Sequence, residues 1–135
     1  MKLLLDINVL LDVLLDREPW SDAASRLLSA IDSNQAEGFV APHTLPTIYY
    51  VVAQSQDRKT AKTAVTDLLR ILDVATITRA DFQRALELST SDYEDAVQAA
   101  AALKIGADYL VTRNENDFRS VPVPMADAPT ILALL

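Results

Sequence analysis

Residues 3–15 read LLLDINVLLDVLL, aliphatic throughout except for Asp6, Asn8 and Asp12. The leucines before Asp6 make a run short enough for a buried parallel strand, and the apolar residues after it continue as a helix through Leu15. In open parallel sheets the ligand crevice lies beyond the carboxyl ends of the strands. An acid that ends a buried strand therefore stands at that crevice while the leucines fill the core. A purely structural alternative is that Asp6 caps the following helix, an arrangement worth about 1 kcal/mol. Asn8 is placed to orient the turn. Asp12, further along the helix, is expected to face water or to pair with a base such as Arg17.

Outward from this unit, helices and strands alternate. Ser21 or Asp22 is the expected cap of a helix carrying Ala24, Leu27, Leu28 and Ile31, and Gly38 opens a second strand, FVAP. Thr44 is expected to cap a helix with Pro46 in its first turn. Residues 60–72 read as an amphipathic helix with Ala64, Val65, Leu68, Leu69 and Leu72 inward. VATIT is a third strand, residues 80–88 and 93–104 are helices, and Gly106 is the C-cap of the second. YLVT is a fourth strand and VPVPMA a fifth, confined to an edge by its prolines. The tail APTILALL is a last helix. The pattern predicts a single α/β domain over residues 1–135, with a mostly parallel central sheet of four or five strands covered on both faces. Strand 1, the most continuously apolar, belongs at its centre.

Half of the 135 residues are apolar, enough for one core that buries roughly two-thirds of the surface of the unfolded chain. The absence of cysteine excludes disulfides and thiolate metal sites. No Ala-x-Ala-like cleavage site follows the apolar start, and no apolar run approaches the roughly 20 residues that span a bilayer. The expectation is a cytoplasmic protein with no membrane segment. A formal charge of −7 argues against a broad basic surface for nucleic acid. It does not exclude a nuclease, because an enzyme can hold phosphates through metal ions bound by its own carboxylates. The basic residues, among them Arg17, Arg26, Arg58, Lys59, Lys62, Arg70, Arg79, Arg84, Lys104, Arg113 and Arg119, are scattered and most are expected on solvated helix faces.

Two further constellations carry acids. In TSDYEDAVQAAAALKIG, residues 90–106, Asp92 and Asp95 share one face of the first helical turn. Asp92 suits an N-cap. Asp95 lies inside the turn, directly before an alanine-rich face that must pack on the sheet, and there a functional role is favoured. In YLVTRNENDF, residues 109–118, a strand ends at Thr112 and is followed by Asn114 and Asp117, which in a loop are also ordinary turn formers. If Asp6, Asp95 and Asp117 converge, each pair at about 4 Å repels by roughly 4 kcal/mol at an effective dielectric of 20. A divalent cation offsets that repulsion. Hard oxygen ligands, one histidine and no cysteine favour Mg²⁺ or Mn²⁺. His43, before the Thr44 cap, is expected to be structural.

LLLDINVLLD followed by SDYEDAVQAAAALKIGADYLVTRNENDF resembles the PIN domain, the small metal-dependent ribonuclease fold used by VapC-type toxins of toxin–antitoxin pairs. The resemblance covers essentially the whole chain and implies a PIN-like three-layer α/β/α fold. It implies a catalytic set of Asp6, Asp95, Asn114 and Asp117, with Asp6, Asp95 and Asp117 as metal ligands for Mg²⁺ or Mn²⁺. Asp92, Thr112, Arg113 and Asn8 are implied in support, with Thr112 orienting a water and Arg113 contacting a phosphate. It also implies an RNA substrate, an antitoxin partner and a homodimer, for which the apolar helix TLPTIYYVVA with Tyr49 and Tyr50 offers a surface. One departure stands out: many PIN domains carry a glutamate where this sequence has Thr47. A PIN-like module that binds RNA or a protein without cleaving is the alternative. A receiver-type phosphoacceptor is disfavoured because VPVPMA ends without a lysine.

Overall fold

The computed structural model describes every residue except Ser91, Arg119 and Ser120, so the solvation expected of Arg119 lies outside the described residues. The chain runs β1 (Lys2–Leu5), α1 (Ile7–Leu14), α2 (Ser21–Asp32), β2 (Glu37–Val40), α3 (Thr44–Ser55), α4 (Arg58–Ile71) and β3 (Asp73–Val74). It continues with α5 (Arg79–Ala85), α6 (Tyr93–Ile105), β4 (Tyr109–Val111), a 3-10 turn (Glu115–Phe118), β5 (Met125–Ala126) and α7 (Ala128–Leu134). The sheet is entirely parallel in the order β3-β2-β1-β4-β5, with β1 at its centre as its leucine run predicts. The strand order reverses between β1 and β4. Such a switch point opens a crevice at the carboxyl ends of the two strands.

The leucines of β1 alternate between the two layers. Leu3 and Leu5 pack with Leu10, Leu27, Ile48 and Ile131, whereas Leu4 packs with Ala99, Ala102, Leu110 and Phe118. All three are fully buried, each contributing on the order of 2 kcal/mol. The alanine face of α6 lets that helix lie close on the sheet. Gly38 serves the same end in β2, where a Cβ would stand 2.6 Å from Leu72 and 2.9 Å from Ile31. Gly106 ends α6 in the left-handed conformation (φ 67) expected of its C-cap.

Several local expectations are corrected. Neither Ser21 nor Asp22 caps α2. Ser21 is its first residue, and its hydroxyl donates to Glu18 at 3.2 Å. Thr44 likewise lies inside α3, after His43, with its buried hydroxyl unpartnered among the described residues. Asp57 caps α4, accepting from the Thr60 amide at 2.6 Å, which extends that helix upstream and lowers the pKa of the exposed Asp57 carboxyl. Leu69 is 52 % exposed rather than inward, because the buried stripe of α4 runs through Ala61, Ala64 and Leu68. Thr78 and Asp81 form a capping box for α5, which stops short of the expected end. The outer strands β3 and β5 have two residues each, shorter than VATIT and VPVPMA suggest. Each edge strand pairs with one neighbour only, and Pro124 contributes just its carbonyl, to the Leu110 amide at 2.9 Å.

Candidate active site

β1 ends one residue before Asp6, whose amide still bonds to Val111 of β4 at 2.9 Å. The Asp6 side chain makes no capping hydrogen bond to α1, although the residue occupies the N-cap position. Its Oδ1 accepts from Gln98 Nε2 of α6 at 3.0 Å, and its Oδ2 accepts from Thr112 Oγ1 at the end of β4 at 2.9 Å. The capping duty falls to Gln98, whose Oε1 accepts from the Ile7 amide at 3.2 Å. Thr112 Oγ1 also accepts from the Asn114 amide at 3.0 Å, and the Asn114 carbonyl accepts from the Asp117 amide at 3.0 Å. The chain of bonds from Gln98 through Asp6 and Thr112 to Asn114 therefore spans the switch point.

Asp6 is 2 % exposed, and the groups that hold it are neutral. Burial pushes its carboxyl pKa above the usual aspartate range, against the lowering effect of the Gln98 and Thr112 donors. Between the unfolded and the folded pKa the native state holds the proton that the unfolded chain has released, so stability falls as pH rises through that window. Above it the fold carries an ionised buried carboxylate. Asp6→Asn removes that charge, while its amide can accept from Gln98 and donate to the Thr112 hydroxyl. Without metal, the variant is expected to melt at or above the wild-type temperature at neutral pH and to lose this pH dependence. Melting curves in EDTA from acid to neutral pH check this, and a lower melting temperature for the variant contradicts it.

Asp92 is the N-cap of α6, its Oδ1 accepting from the Asp95 amide at 2.9 Å, as the structural reading of that acid has it. The half-buried Asp95 precedes Gln98 by three positions and so shares its helical face, the face that reaches Asp6. Asn114 and Asp117 line an open hollow of about 550 Å³ with Thr112, Arg113 and Asp127. Asp6 and Asp95 are not part of that lining. Among the described residues no three acids or histidines stand close enough together to hold a metal ion. Thr47 turns its hydroxyl back to the His43 carbonyl at 3.0 Å, into its own helix. His43 is half-buried, and burial lowers its pKa, against the nearby Glu94 and Asp92 carboxylates, which raise it.

Of the two alternatives for Asp12, pairing with a base holds and facing water is corrected. Asp12 does not face water: it is 1 % exposed and accepts two hydrogen bonds from Arg113, at 2.8 and 3.2 Å, with Arg17 at 3.8 Å. Arg113 is thus held by Asp12 and stacked on Trp20, 3.9 Å from the ring centroid. Asn8 Oδ1 lies 3.5 Å from Arg17 and belongs to this second cluster. Sequence reasoning passed over Gln98. Its signal is one long polar side chain inside the alanine face AVQAAAA, three residues after Asp95.

Residues 2–116 match the sequence family described as PIN domain. Ribonuclease VapC1 of Aquifex aeolicus (strain VF5) is 28% identical over 127 residues, covering 88% of this chain and 85% of that protein. The fold is similar to that in the crystal structure of VapBC2 from Rickettsia felis bound to a DNA fragment from their promoter. There the TM-score is 0.75 at 18% identity, over 94% of this chain and 98% of that one. It is also similar to Mycobacterium tuberculosis VapC20, a toxin that cleaves the sarcin-ricin loop. There the TM-score is 0.71 at 16% identity, over 90% of this chain and 95% of that one.

Proposed function

Because the chain belongs to the PIN domain family, we propose that it is a metal-dependent endoribonuclease, hydrolysing RNA phosphodiester bonds as the toxin of a toxin–antitoxin pair. The observation that carries this reading is Asp6: a buried carboxylate at the switch point, held by two neutral donors and without an ion pair among the described residues. The donor set suits a hard cation. Mg²⁺ is usually held by one or two carboxylates while it keeps several waters, so a cage of three clustered acids is not required. Asp6 and Asp95 would hold Mg²⁺ or Mn²⁺ between them, with Asp117 acting from the adjoining hollow rather than from a shared three-acid cluster. When bound, such a cation supplies an acidified water and neutralises charge that builds on the reacting phosphate.

The protein's own groups do the rest. Gln98 and Thr112 fix the Asp6 carboxylate by one hydrogen bond to each oxygen, so it needs no reorganisation as charge develops. Asn114, tied to Thr112 through its backbone amide, lines the adjoining hollow, where its side chain would serve a phosphate oxygen or a water. Asp92 supports the site by capping α6, which sets the turn that carries Asp95. A cytoplasmic setting agrees with the absence, among the described residues, of any helix long and apolar enough to cross a membrane. The α3 surface, with Tyr49 38 % and Tyr50 65 % exposed, suits an antitoxin or a homodimer partner. A second reading, binding without cleavage, draws on Thr47 and on the lack of a tight three-acid cluster.

Metal linkage tests the site. A cation bound only by the folded state stabilises it by about 2.7 kcal/mol at a hundred times its dissociation constant, a rise of roughly 10 °C for a chain of this size. Melting with millimolar Mn²⁺ against EDTA reads this directly. An unchanged curve contradicts a metal site.

A further inference from the structure

We propose that the Trp20–Arg113 stack forms a subsite for one nucleobase of single-stranded RNA, beside the reaction centre. The inference rests on RNA being the substrate. The hollow lies between α1, α2 and the start of α7 and measures about 210 Å³. That is below the roughly 300–1,000 Å³ that hold a drug-sized ligand and on the scale of one ring system. Its walls include the apolar Val9, Ala24 and Pro129, and Trp20 and Arg113 supply its flat surfaces. The guanidinium lies 3.9 Å from the indole centroid and is fixed from behind by the buried Asp12 carboxylate at 2.8 and 3.2 Å. Trp20 nevertheless remains 42 % exposed, unusual for the chain's sole tryptophan unless its ring has something to meet.

Three features favour a nucleotide over a protein side chain. Indole and guanidinium planes are both stacking partners for bases, and a stack already locked by Asp12 loses little freedom on binding. Arg113 and Arg17 balance the carboxylates of Asp12 and Asp127, so this corner is near neutral in a chain whose formal charge is −7 and repels a phosphate strand less than the acidic surface around it. Finally, the hollow adjoins the polar one beside Thr112. Arg113 and Asp127 line both this cavity and the polar one beside Thr112, and Thr112 holds Asp6. A strand whose phosphate lies in the polar hollow beside Thr112 can therefore place a neighbouring base here. Asp127, whose Oδ1 caps α7 at 3.0 Å, adds a carboxylate acceptor for a base amino group to the lining.

Trp20 reports on its own subsite. In EDTA, where cleavage is suppressed, titration with a short oligoadenylate is expected to quench its emission saturably, while inorganic polyphosphate, which has charge but no bases, leaves it nearly unchanged. Trp20→Leu is expected to weaken binding of the labelled strand, measured by anisotropy, by about tenfold, within the range for one stacked base. Trp20→Phe should retain most of the affinity, and melting of both variants verifies their fold. If the strand binds by anisotropy while the emission stays constant, or if polyphosphate quenches equally, the subsite is overturned and the ribonuclease reading stands. Emission that changes with protein concentration alone assigns Trp20 to a contact between copies and also overturns it. Quenching by oligoadenylate in a chain that cleaves no RNA in Mn²⁺ upholds the subsite and overturns the ribonuclease reading.

Discussion

Asp95→Asn is expected to lower RNA cleavage at least roughly a hundredfold, a loss of about 2.7 kcal/mol of transition-state stabilisation. The substitution keeps the shape of the side chain and leaves the backbone amide on Asp92, so α6 keeps its cap. What disappears is one negative charge, on the helical face that also carries Gln98 against Asp6. Without metal, a helix-dipole term and a charge-repulsion term oppose one another. An acid in a first turn gains about 0.3–1 kcal/mol from the helix dipole, and relief of repulsion from Asp6 works in the other direction. Initial cleavage rates in Mn²⁺, read beside melting curves in EDTA, separate the two roles. A variant that melts lower and cleaves like the wild type makes Asp95 a structural acid.

Arg113→Ala is expected to destabilise the fold by about 3 kcal/mol, because it strands a carboxylate that is taken out of water. Asp12 is 1 % exposed, and after the change its remaining cation is Arg17 at 3.8 Å, too far for a good hydrogen bond. For a domain of this size the melting temperature should fall by roughly 10 °C. Replacing both partners, as in Asp12→Leu with Arg113→Met, should restore most of that loss, since neither charge is then left buried alone. The exposed Arg26–Asp22 pair at 3.5 Å is the control, and its removal should change little. Thermal melting of the four proteins in EDTA decides the matter. A small effect of Arg113→Ala would mean that water reaches Asp12.

The sequence made the sheet legible because its strands are short apolar runs separated by helical ones. The central place of β1 follows from three leucines that must each bury in a different layer from their neighbour. The outer strands were less legible, because VATIT and VPVPMA carry β-forming residues whose pairing depends on a single neighbour. Helix starts were misread wherever a Ser or Thr looked like a cap, as at Ser21 and Thr44, since the entry of the chain rather than the residue type decides which position is first. At the candidate site the acid at a strand end was readable from position alone. Its partner Gln98 was not, because an amide within an alanine run has no motif of its own until α6 is laid across β1. Asp12 was legible in part: its pairing with Arg17 follows from closeness in the chain, whereas its burial against Arg113 does not. Its helical phase relative to the sheet could be set only once β4 delivered Arg113 to the same place.

Hydrolysis of RNA through a cation held at Asp6 can be read in one assay on the purified wild-type chain. Cleavage of an RNA strand is followed with Mn²⁺ present and again after EDTA is added to the same sample. Cleavage is expected to begin with Mn²⁺, to stop with EDTA and to resume when Mn²⁺ is restored in excess. Intact RNA throughout, or cleavage that continues unchanged in EDTA, would contradict it.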